Sequence, residues 1–174
     1  MNKAAICALA MIGATQARYG EGSCPEGVTF QDDFDVSRFV GKWYQVEGDI
    51  QNKWTRDAAC VTQEYAFNAD GNVDLYYRGK YEAGYRGING TIYNCDTGNC
   101  EATMGSWTDR RFPFRTFATD YENYHISYNC YERNGKFTEF LSVNARQAAM
   151  SPRLDALVSG IIAERLPWFV DYMK

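Results

Sequence analysis

Eight short segments of alternating apolar and polar residues, separated by turn signals, constrain the fold of this chain more than any other feature of its sequence. Alternation sends every second side chain to the same face, so each segment predicts a half-buried β-strand. The expected strands A to H cover residues 42–48, 60–67, 73–79, 85–95, 100–107, 114–119, 124–131 and 136–144. The turn at Asp70-Gly71 is typical of a tight hairpin, and no crossover helix separates the strands. The pattern predicts an antiparallel meander.

Eight antiparallel strands can form either a two-sheet sandwich or a closed barrel. Closure removes the exposed strand edges, and a barrel of eight strands encloses room for one small ligand. We therefore expect an all-β fold, an eight-stranded antiparallel up-and-down β-barrel with one C-terminal α-helix packed outside it.

The expected helix begins at Ser151-Pro152, since serine caps a helix and the missing N–H of proline costs nothing in the first turn. Its apolar stripe consists of Leu154, Leu157, Val158, Ile161 and Ile162. A helix with one apolar stripe needs a surface to cover, and the outside of the sheet provides it. Pro167 ends the helix, and residues 168–172 are expected to add a short edge strand.

The first 17 residues have the pattern of a secretory signal peptide: Lys3, an apolar run over residues 4–14, and small residues before Arg18. The alternative is a buried N-terminal helix. The apolar run is too short to span a bilayer. The chain of 174 residues is thus expected to divide into a signal peptide at 1–17 and a single domain at 18–174, secreted to the extracellular space.

Charge and histidine content exclude several classes of function. The formal net charge is −4, and removing Lys3 with the signal peptide leaves −5, which argues against nucleic acid as a partner. The single histidine, His125, leaves no Ser-His-Asp set with a spare base and no zinc cluster, so we expect no cofactor and no metal. Asn89 begins a sequon for N-glycosylation.

Three further features stand in a fixed order along the chain. Gly41-x-Trp43 opens strand A, the phrase Ala-Thr-Asp-Tyr-Glu-Asn-Tyr occupies residues 118–124, and Arg146 follows strand H. With the final helix they resemble the signature regions of the lipocalins, closest to the apolipoprotein D and insect bilin-binding protein type. The resemblance covers about residues 24–166 and implies a cup whose base is closed by Trp43, with Arg146 over its face. It implies structural roles for Gly41, Trp43, Thr119, Asp120, Tyr121 and Arg146.

Alternation assigns the side chains that line such a cup, once Trp43 is taken to point inward. On strands A to C these are Gln45, Glu47, Val61, Gln63, Tyr65, Val73, Leu75 and Tyr77. The resemblance places Cys130 outward on strand G, which implies that His125, Ser127 and Asn129 face inward. Strand H, counted back from Arg146, adds Asn144, Ser142 and Phe140. An aromatic wall with hydrogen-bonding groups suits an amphiphilic ligand, although a one-residue bulge would reverse the parity.

Residues 108–113 are expected to form a basic loop at the mouth of the barrel. Arg110 and Arg111 in this loop can bind a carboxylate of a fatty acid or a bilin through charge-assisted hydrogen bonds. The alternative is an ordinary solvated loop.

Five cysteines follow the signal peptide, an odd number that leaves at least one without an intrachain partner. The resemblance implies a disulfide between Cys24 and Cys130. Cys95 and Cys100 flank a turn and can close on each other, which would leave Cys60 free, while a bond from Cys60 to either of them stays open.

The resemblance implies a secreted carrier of one small hydrophobic or amphiphilic ligand, such as a bilin, carotenoid, steroid, retinoid or fatty acid, without catalysis. One alternative is an isomerase like lipocalin-type prostaglandin D synthase with a free Cys60, although parity turns that residue outward. The other is a scavenger or sensor with a protein partner at the mouth loops, for which a cell-surface receptor is a candidate. Both a monomer and a dimer are compatible with the sequence.

Overall fold

The computed structural model describes residues 18–48, 55, 57–95, 99–105 and 107–173. The expected signal peptide at 1–17 lies outside these residues. The strands are β1 (Tyr19–Glu21), β2 (Gly41–Gly48), β3 (Ala59–Phe67), β4 (Val73–Tyr81), β5 (Gly84–Tyr93), β6 (Asn99–Met104), β7 (Trp107–Thr119), β8 (Tyr124–Arg133) and β9 (Lys136–Ala145). The helices are α1 (Val36–Phe39), α2 (Pro152–Arg165) and a 3-10 helix (Pro167–Tyr172).

Strands β2 to β9 close into an antiparallel barrel and correspond to the expected strands A to H. Each strand pairs with the next, and β9 pairs with both β8 and β2. The predicted eight-stranded barrel with a helix outside is thus confirmed. The short strand β1 extends the sheet at β9, where Tyr19 lies opposite Thr138. Neither β1 nor α1 was expected from the sequence.

The barrel separates two apolar clusters. The inner cluster fills the base of the barrel, and its buried members are Phe34, Phe39, Trp43, Tyr65, Val73, Leu75, Ile92, Cys100, Ala102 and Tyr121. The outer cluster lies between β7–β9 and the C-terminal helices, and it includes Phe117, Ile126, Tyr128, Leu141, Val143, Val158, Ile162, Leu166 and Phe169. Burial of both clusters is the main favourable term that holds the helices against the barrel.

The helix α2 begins where the sequence predicts. The Ser151 hydroxyl accepts a hydrogen bond from the Leu154 amide at 3.3 Å. The helix ends at Arg165 and is capped by Leu166, whose amide donates to the Ile162 carbonyl. Val158 and Ile162 are buried against the barrel, whereas Leu157 is exposed. None of the helices in the described part of the chain is long and apolar enough to cross a membrane.

Two expectations about the chain path are wrong. Residues 108–113 belong to strand β7 rather than to a loop, because Phe112 and Phe114 continue the inward alternation on either side of Pro113. Pro113 costs the strand only the one backbone N–H donor that proline lacks. Residues 168–172 form a 3-10 helix rather than an edge strand. In this conformation Phe169 is buried with its ring 6.0 Å from that of Tyr128, and β1 already pairs with β9.

A fully buried carboxylate joins the N-terminal segment to the C-terminal one. Glu139 on β9 accepts hydrogen bonds from Arg18 Nη1 at 3.0 Å, from the Tyr128 hydroxyl at 2.6 Å and from Trp168 Nε1 at 3.0 Å. The Arg18 guanidinium also lies over the rings of Phe137 and Trp168. A buried charge is tolerated only when it is paired and hydrogen-bonded, and this network meets both conditions.

Candidate ligand site inside the barrel

The base of the barrel is closed by a stack of one guanidinium and one indole. Arg146 lies over Trp43, with its Cζ 3.8 Å from the ring centroid, and its N–H groups donate to the carbonyls of Arg38, Phe39, Lys42 and Tyr121. Trp43 Nε1 donates to the Phe39 carbonyl at 2.9 Å. Gly41 adopts a φ of +103°, and an added Cβ would meet Arg146 Nη1 at 3.0 Å. These contacts assign Gly41, Trp43 and Arg146 to the closure of the base.

The phrase before β8 ties the N-terminal segment to the same end of the barrel. The Thr119 hydroxyl donates to the Tyr124 carbonyl and accepts from the Tyr121 amide. Asp120 Oδ1 accepts from the amides of Glu122, Asn123 and Tyr124. The Tyr121 hydroxyl donates to the Asp33 carbonyl and accepts from the Asp35 amide. All of these hydrogen bonds hold the chain in place at the base, which assigns structural roles to Thr119, Asp120 and Tyr121.

We call the aromatic layer above Arg146 the floor; it consists of Phe39, Trp43, Tyr65, Phe114 and His125. The Phe39 ring is central, with centroids 5.4 Å from Trp43, 4.8 Å from Tyr65 and 4.7 Å from His125. Phe39 comes from α1, whose N-cap Asp35 accepts from the Ser37 amide. The Asp35-x-Ser37 spacing is the sequence signal that could have revealed this helix.

Above the floor, uncharged polar side chains form a band that we call the polar wall, consisting of Gln45, Gln63, Tyr77, Ser127, Asn129, Ser142 and Asn144. Gln63 Nε2 donates to Asn144 Oδ1 at 3.0 Å, and Asn144 Nδ2 donates to the Ser142 hydroxyl at 3.3 Å. The Tyr77 hydroxyl donates to Gln45 Oε1 at 3.0 Å. Gln63 and Asn144 are buried, whereas the other members are half-buried.

The floor and the polar wall meet at Tyr65, whose hydroxyl donates to Gln63 Oε1 at 2.5 Å. Burial raises the pKa of Tyr65 and that of Tyr77, so both phenols stay protonated and act as donors. Val61 and Leu75 are buried on β3 and β4. Phe140 is half-buried, and its ring centroid lies 6.0 Å from that of Tyr131.

Two polar side chains of the interior have no hydrogen-bond partner among the described residues. Both ring nitrogens of His125 and the hydroxyl of Thr116 are fully buried and unpaired. Burial, followed by the nearby Arg146 charge, lowers the pKa of His125 to about 3, so the imidazole is neutral near pH 7. Sequence reasoning missed Thr116, although its position two residues after Phe114 on an alternating strand was a usable signal.

The expectation that Glu47 faces the interior is wrong. A bulge in β2 places Gln45 opposite Asn144 but Glu47 opposite Val143, whose side chain belongs to the outer cluster. The inserted residue reverses the parity, so Glu47 points outward. Burial and the neighbouring Asp155 carboxylate of α2 raise the pKa of Glu47.

The two arginines expected at the mouth do not form one anion site. Arg111 donates to Glu101 Oε2 at 3.0 Å, and its Cζ lies 4.2 Å from the ring centroid of Tyr93. This places Arg111 on the outer surface, because Phe112 beside it packs against the inner cluster. Arg110 is exposed on β7.

The cysteine pairs Cys24–Cys130 and Cys95–Cys100 are both disulfide-bonded, with sequence separations of 106 and 5 residues. Among the cysteines that the structure describes, Cys60 is free, and it is exposed beside a bulge at the start of β3. Asn89 is exposed on β5, and the Thr91 hydroxyl of the same sequon donates to Asp74 Oδ1 at 3.1 Å.

A groove of about 580 Å³ lies along β4 and β5, lined by Arg78, Gly87, Ile88, Asn89 and Gly105. None of these residues belongs to the floor or to the polar wall. The Arg78 guanidinium in this groove already donates to the carbonyls of Tyr77 and Ile88.

Comparison with known proteins identifies a family for this chain. A family model described as a lipocalin-like domain matches residues 34–135. Apolipoprotein D of Bos taurus is 29% identical over 124 residues, which are 69% of this chain and 64% of that protein. Apolipoprotein D of Oryctolagus cuniculus is 26% identical over 121 residues, or 63% and 58% of the two chains. The match thus spans less than two thirds of the length of these relatives.

Solved structures share the barrel at lower sequence identity. Insecticyanin of the tobacco hornworm Manduca sexta superimposes with a TM-score of 0.75 and 17% identity, covering 90% of this chain and 86% of that one. Lobster apocrustacyanin A1 gives a TM-score of 0.60 and 21% identity, covering 82% and 87%. The family model matches more than half of the chain and the fold agrees with it, so this protein belongs to the lipocalin family.

Proposed function

We propose that the protein is a secreted carrier that binds one small amphiphilic molecule inside its barrel. The observation that carries the proposal is the gradient along the interior, from a closed aromatic floor to a half-buried polar wall. Apolar ligand surface that is buried inside the barrel leaves water at a gain of roughly 25 cal/mol per Å². The uncharged amides and hydroxyls then orient the ligand and select among candidates.

Other observations support this proposal. Two disulfides suit an oxidising extracellular environment. Ex-FABP, a siderocalin with a similar barrel, functions through dual ligand specificities. The candidate ligands remain a bilin, a carotenoid, a steroid, a retinoid or a fatty acid, with a monomer or a dimer as the assembly and a cell-surface receptor as a candidate partner.

The test begins with protein purified from its native source. An absorption spectrum followed by mass spectrometry of an organic extract should reveal a bound small molecule at about one per chain. Recombinant protein is then titrated with that molecule, using the quenching of tryptophan fluorescence as the readout.

Two tryptophan substitutions separate binding inside the barrel from binding outside it. Asn129→Trp fills the half-buried interior and should weaken binding at least tenfold, whereas Glu64→Trp on the exposed outer face should leave it unchanged. Circular dichroism checks that both variants fold. The proposal would be contradicted if Glu64→Trp lost binding while Asn129→Trp kept it, or if no ligand could be extracted from the native protein.

The isomerase alternative rests on the free, exposed thiol of Cys60. It predicts turnover of a prostaglandin endoperoxide that disappears in Cys60→Ala, whereas the carrier proposal predicts unchanged ligand affinity in that variant. Assays of turnover and of binding on the same two preparations distinguish these hypotheses.

A further inference from the structure

The deepest part of the interior contains polar groups that the protein itself leaves unpaired. His125 and Thr116 are both 0% exposed, and neither the imidazole nor the hydroxyl has a hydrogen-bond partner among the described residues. Leaving a buried polar group without a partner is costly, so such a group in a folded protein calls for an explanation. Here two of them lie on the inner face of the barrel, on the neighbouring strands β7 and β8.

Strand pairing places both side chains on the inner surface. Thr116 on β7 lies opposite Ser127 of the polar wall, and His125 on β8 lies opposite Asn144 of the same wall. His125 and Ser127 are neighbours on one face of β8, so His125 and Thr116 are diagonal neighbours across β7 and β8. Such positions are roughly 7–8 Å apart, which lets the imidazole and the hydroxyl reach one small head group. The rings of Phe39 and Trp43 border the imidazole at centroid distances of 4.7 and 5.8 Å.

The chemistry of the pair fits an alcohol. A neutral imidazole offers one donor and one acceptor, and a threonine hydroxyl offers both. A ligand hydroxyl can complete such a set, because it donates one hydrogen bond and accepts two. The head group must displace neighbouring interior side chains, and the hydrogen bonds it makes to groups otherwise unpaired offset part of that cost.

A carboxylate does not suit this position. None of the side chains assigned above to the floor or to the polar wall carries a charge, and burying an unpaired anion is strongly unfavourable. Arg146 is close enough to act electrostatically on His125, but its guanidinium stacks on Trp43 and its N–H groups are committed to four backbone carbonyls. We therefore expect a ligand with a carboxylate to place that group at the mouth of the barrel.

We infer that His125 and Thr116 form a head-group subsite at the floor, which selects an amphiphile that enters with an uncharged hydroxyl first and discriminates against the matching carboxylate. The inference rests on the proposed function, because it concerns the ligand of the same barrel. It narrows the candidate ligands to alcohols such as hydroxylated steroids, hydroxylated carotenoids or retinol-like molecules.

The test compares all-trans-retinol with all-trans-retinoate, which share a hydrocarbon frame and differ in the head group. Binding is followed by quenching of tryptophan fluorescence at pH 7.5, where the acid is ionised. The wild-type protein should bind retinol at least tenfold more tightly. Thr116→Val keeps the shape and removes the hydroxyl, so it should reduce retinol affinity about tenfold and leave retinoate affinity unchanged.

Thr62→Val makes the same chemical change on the outer face, where Thr62 pairs with Arg78, and should change neither affinity. A second readout uses the single histidine of the chain, whose two ring ¹⁵N signals are unambiguous. Retinol should shift at least one of these signals, and retinoate should not. Valine at position 116 leaves no unpaired hydroxyl behind, so this variant is expected to fold.

Three results would overturn the inference. Equal affinity for the two probes, or a preference for retinol that persists in Thr116→Val, would show that the head group binds away from the floor while leaving the carrier function intact. Failure of both probes to bind would reject an alcohol subsite in this barrel. The carrier function itself is judged separately, by the extraction of a native ligand and by the Asn129→Trp variant.

Discussion

The network around Glu139 allows a sharp prediction about stability. Arg18→Ala removes the cation from a fully buried carboxylate, while Tyr128 and Trp168 continue to donate to Oε1. Removing one partner of a buried ion pair typically costs 3–5 kcal/mol. The Arg18 side chain is 31% exposed and two donors remain, so solvent screening lowers our expectation to about 2 kcal/mol.

Urea denaturation followed by circular dichroism measures this loss directly. For a protein of this size, about 2 kcal/mol corresponds to a fall of about 4–8 °C in Tm. The control is Glu21→Ala, which removes an ion pair with Lys136 whose side chains are 82% and 67% exposed. Exposed pairs contribute little, so the control should change the free energy of unfolding by less than about 0.5 kcal/mol.

A double variant separates charge from packing. In Arg18→Ala/Glu139→Gln the buried charge is gone, and the amide oxygen can still accept from both Tyr128 and Trp168. The double variant should therefore be more stable than Arg18→Ala alone, by about 1 kcal/mol. If the two substitutions destabilise additively, or if Arg18→Ala behaves like Glu21→Ala, the reasoning about a buried, paired carboxylate is refuted.

Two further predictions concern the disulfides and the single histidine. Replacing Cys24 and Cys130 by serine should destabilise the fold by about 2–3 kcal/mol more than replacing Cys95 and Cys100, because the first bond closes a far longer loop in the unfolded chain; equal losses in urea denaturation would contradict this. Because the folded pKa of His125, about 3, lies below its ordinary value of 6.5, the unfolded chain takes up the proton first as pH falls. As pH falls below 6, His125 should therefore lower the free energy of unfolding by up to about 1.4 kcal/mol per pH unit. The difference in free energy of unfolding between wild type and His125→Gln isolates this pH dependence from that of Glu47. A difference that stays constant from pH 7 to 4 would refute the assignment of a low pKa to His125.

The fold could be predicted from the sequence because each barrel strand has a recognisable local pattern of alternating residues bounded by turn residues. Alternation and turn residues specify β2 to β9 to within a few residues, except where β7 begins, and barrel closure follows from the cost of free edges. The helix α2 is marked by Ser151 and Pro152. What lacks such a signal is β1, whose three residues are held by pairing with β9 rather than by any pattern of their own.

The interior of the barrel was harder to predict, because parity is lost at each irregularity. Gln45 and Gln63 lie where alternation puts them, but one extra residue in β2 turns Glu47 outward. Arg111 illustrates the regular case: because residues 108–113 belong to a strand, alternation places its side chain on the outer face. Bulges arise from pairing between distant strands, so local sequence does not specify them.

The position of Arg146 also bears on how the chain reaches its native state. Its guanidinium bonds the carbonyls of Lys42 and Arg38, which precede it by 104 and 108 residues, and β9 closes the barrel against β2 at the same end. Contacts so distant in sequence slow folding, because a long loop must close before they form. During synthesis the first barrel strand is made well before its last partner, and its unpaired edge is exposed meanwhile. Closure of the base is thus a late step, and the nascent chain is most prone to aggregation in the interval before β9 is made.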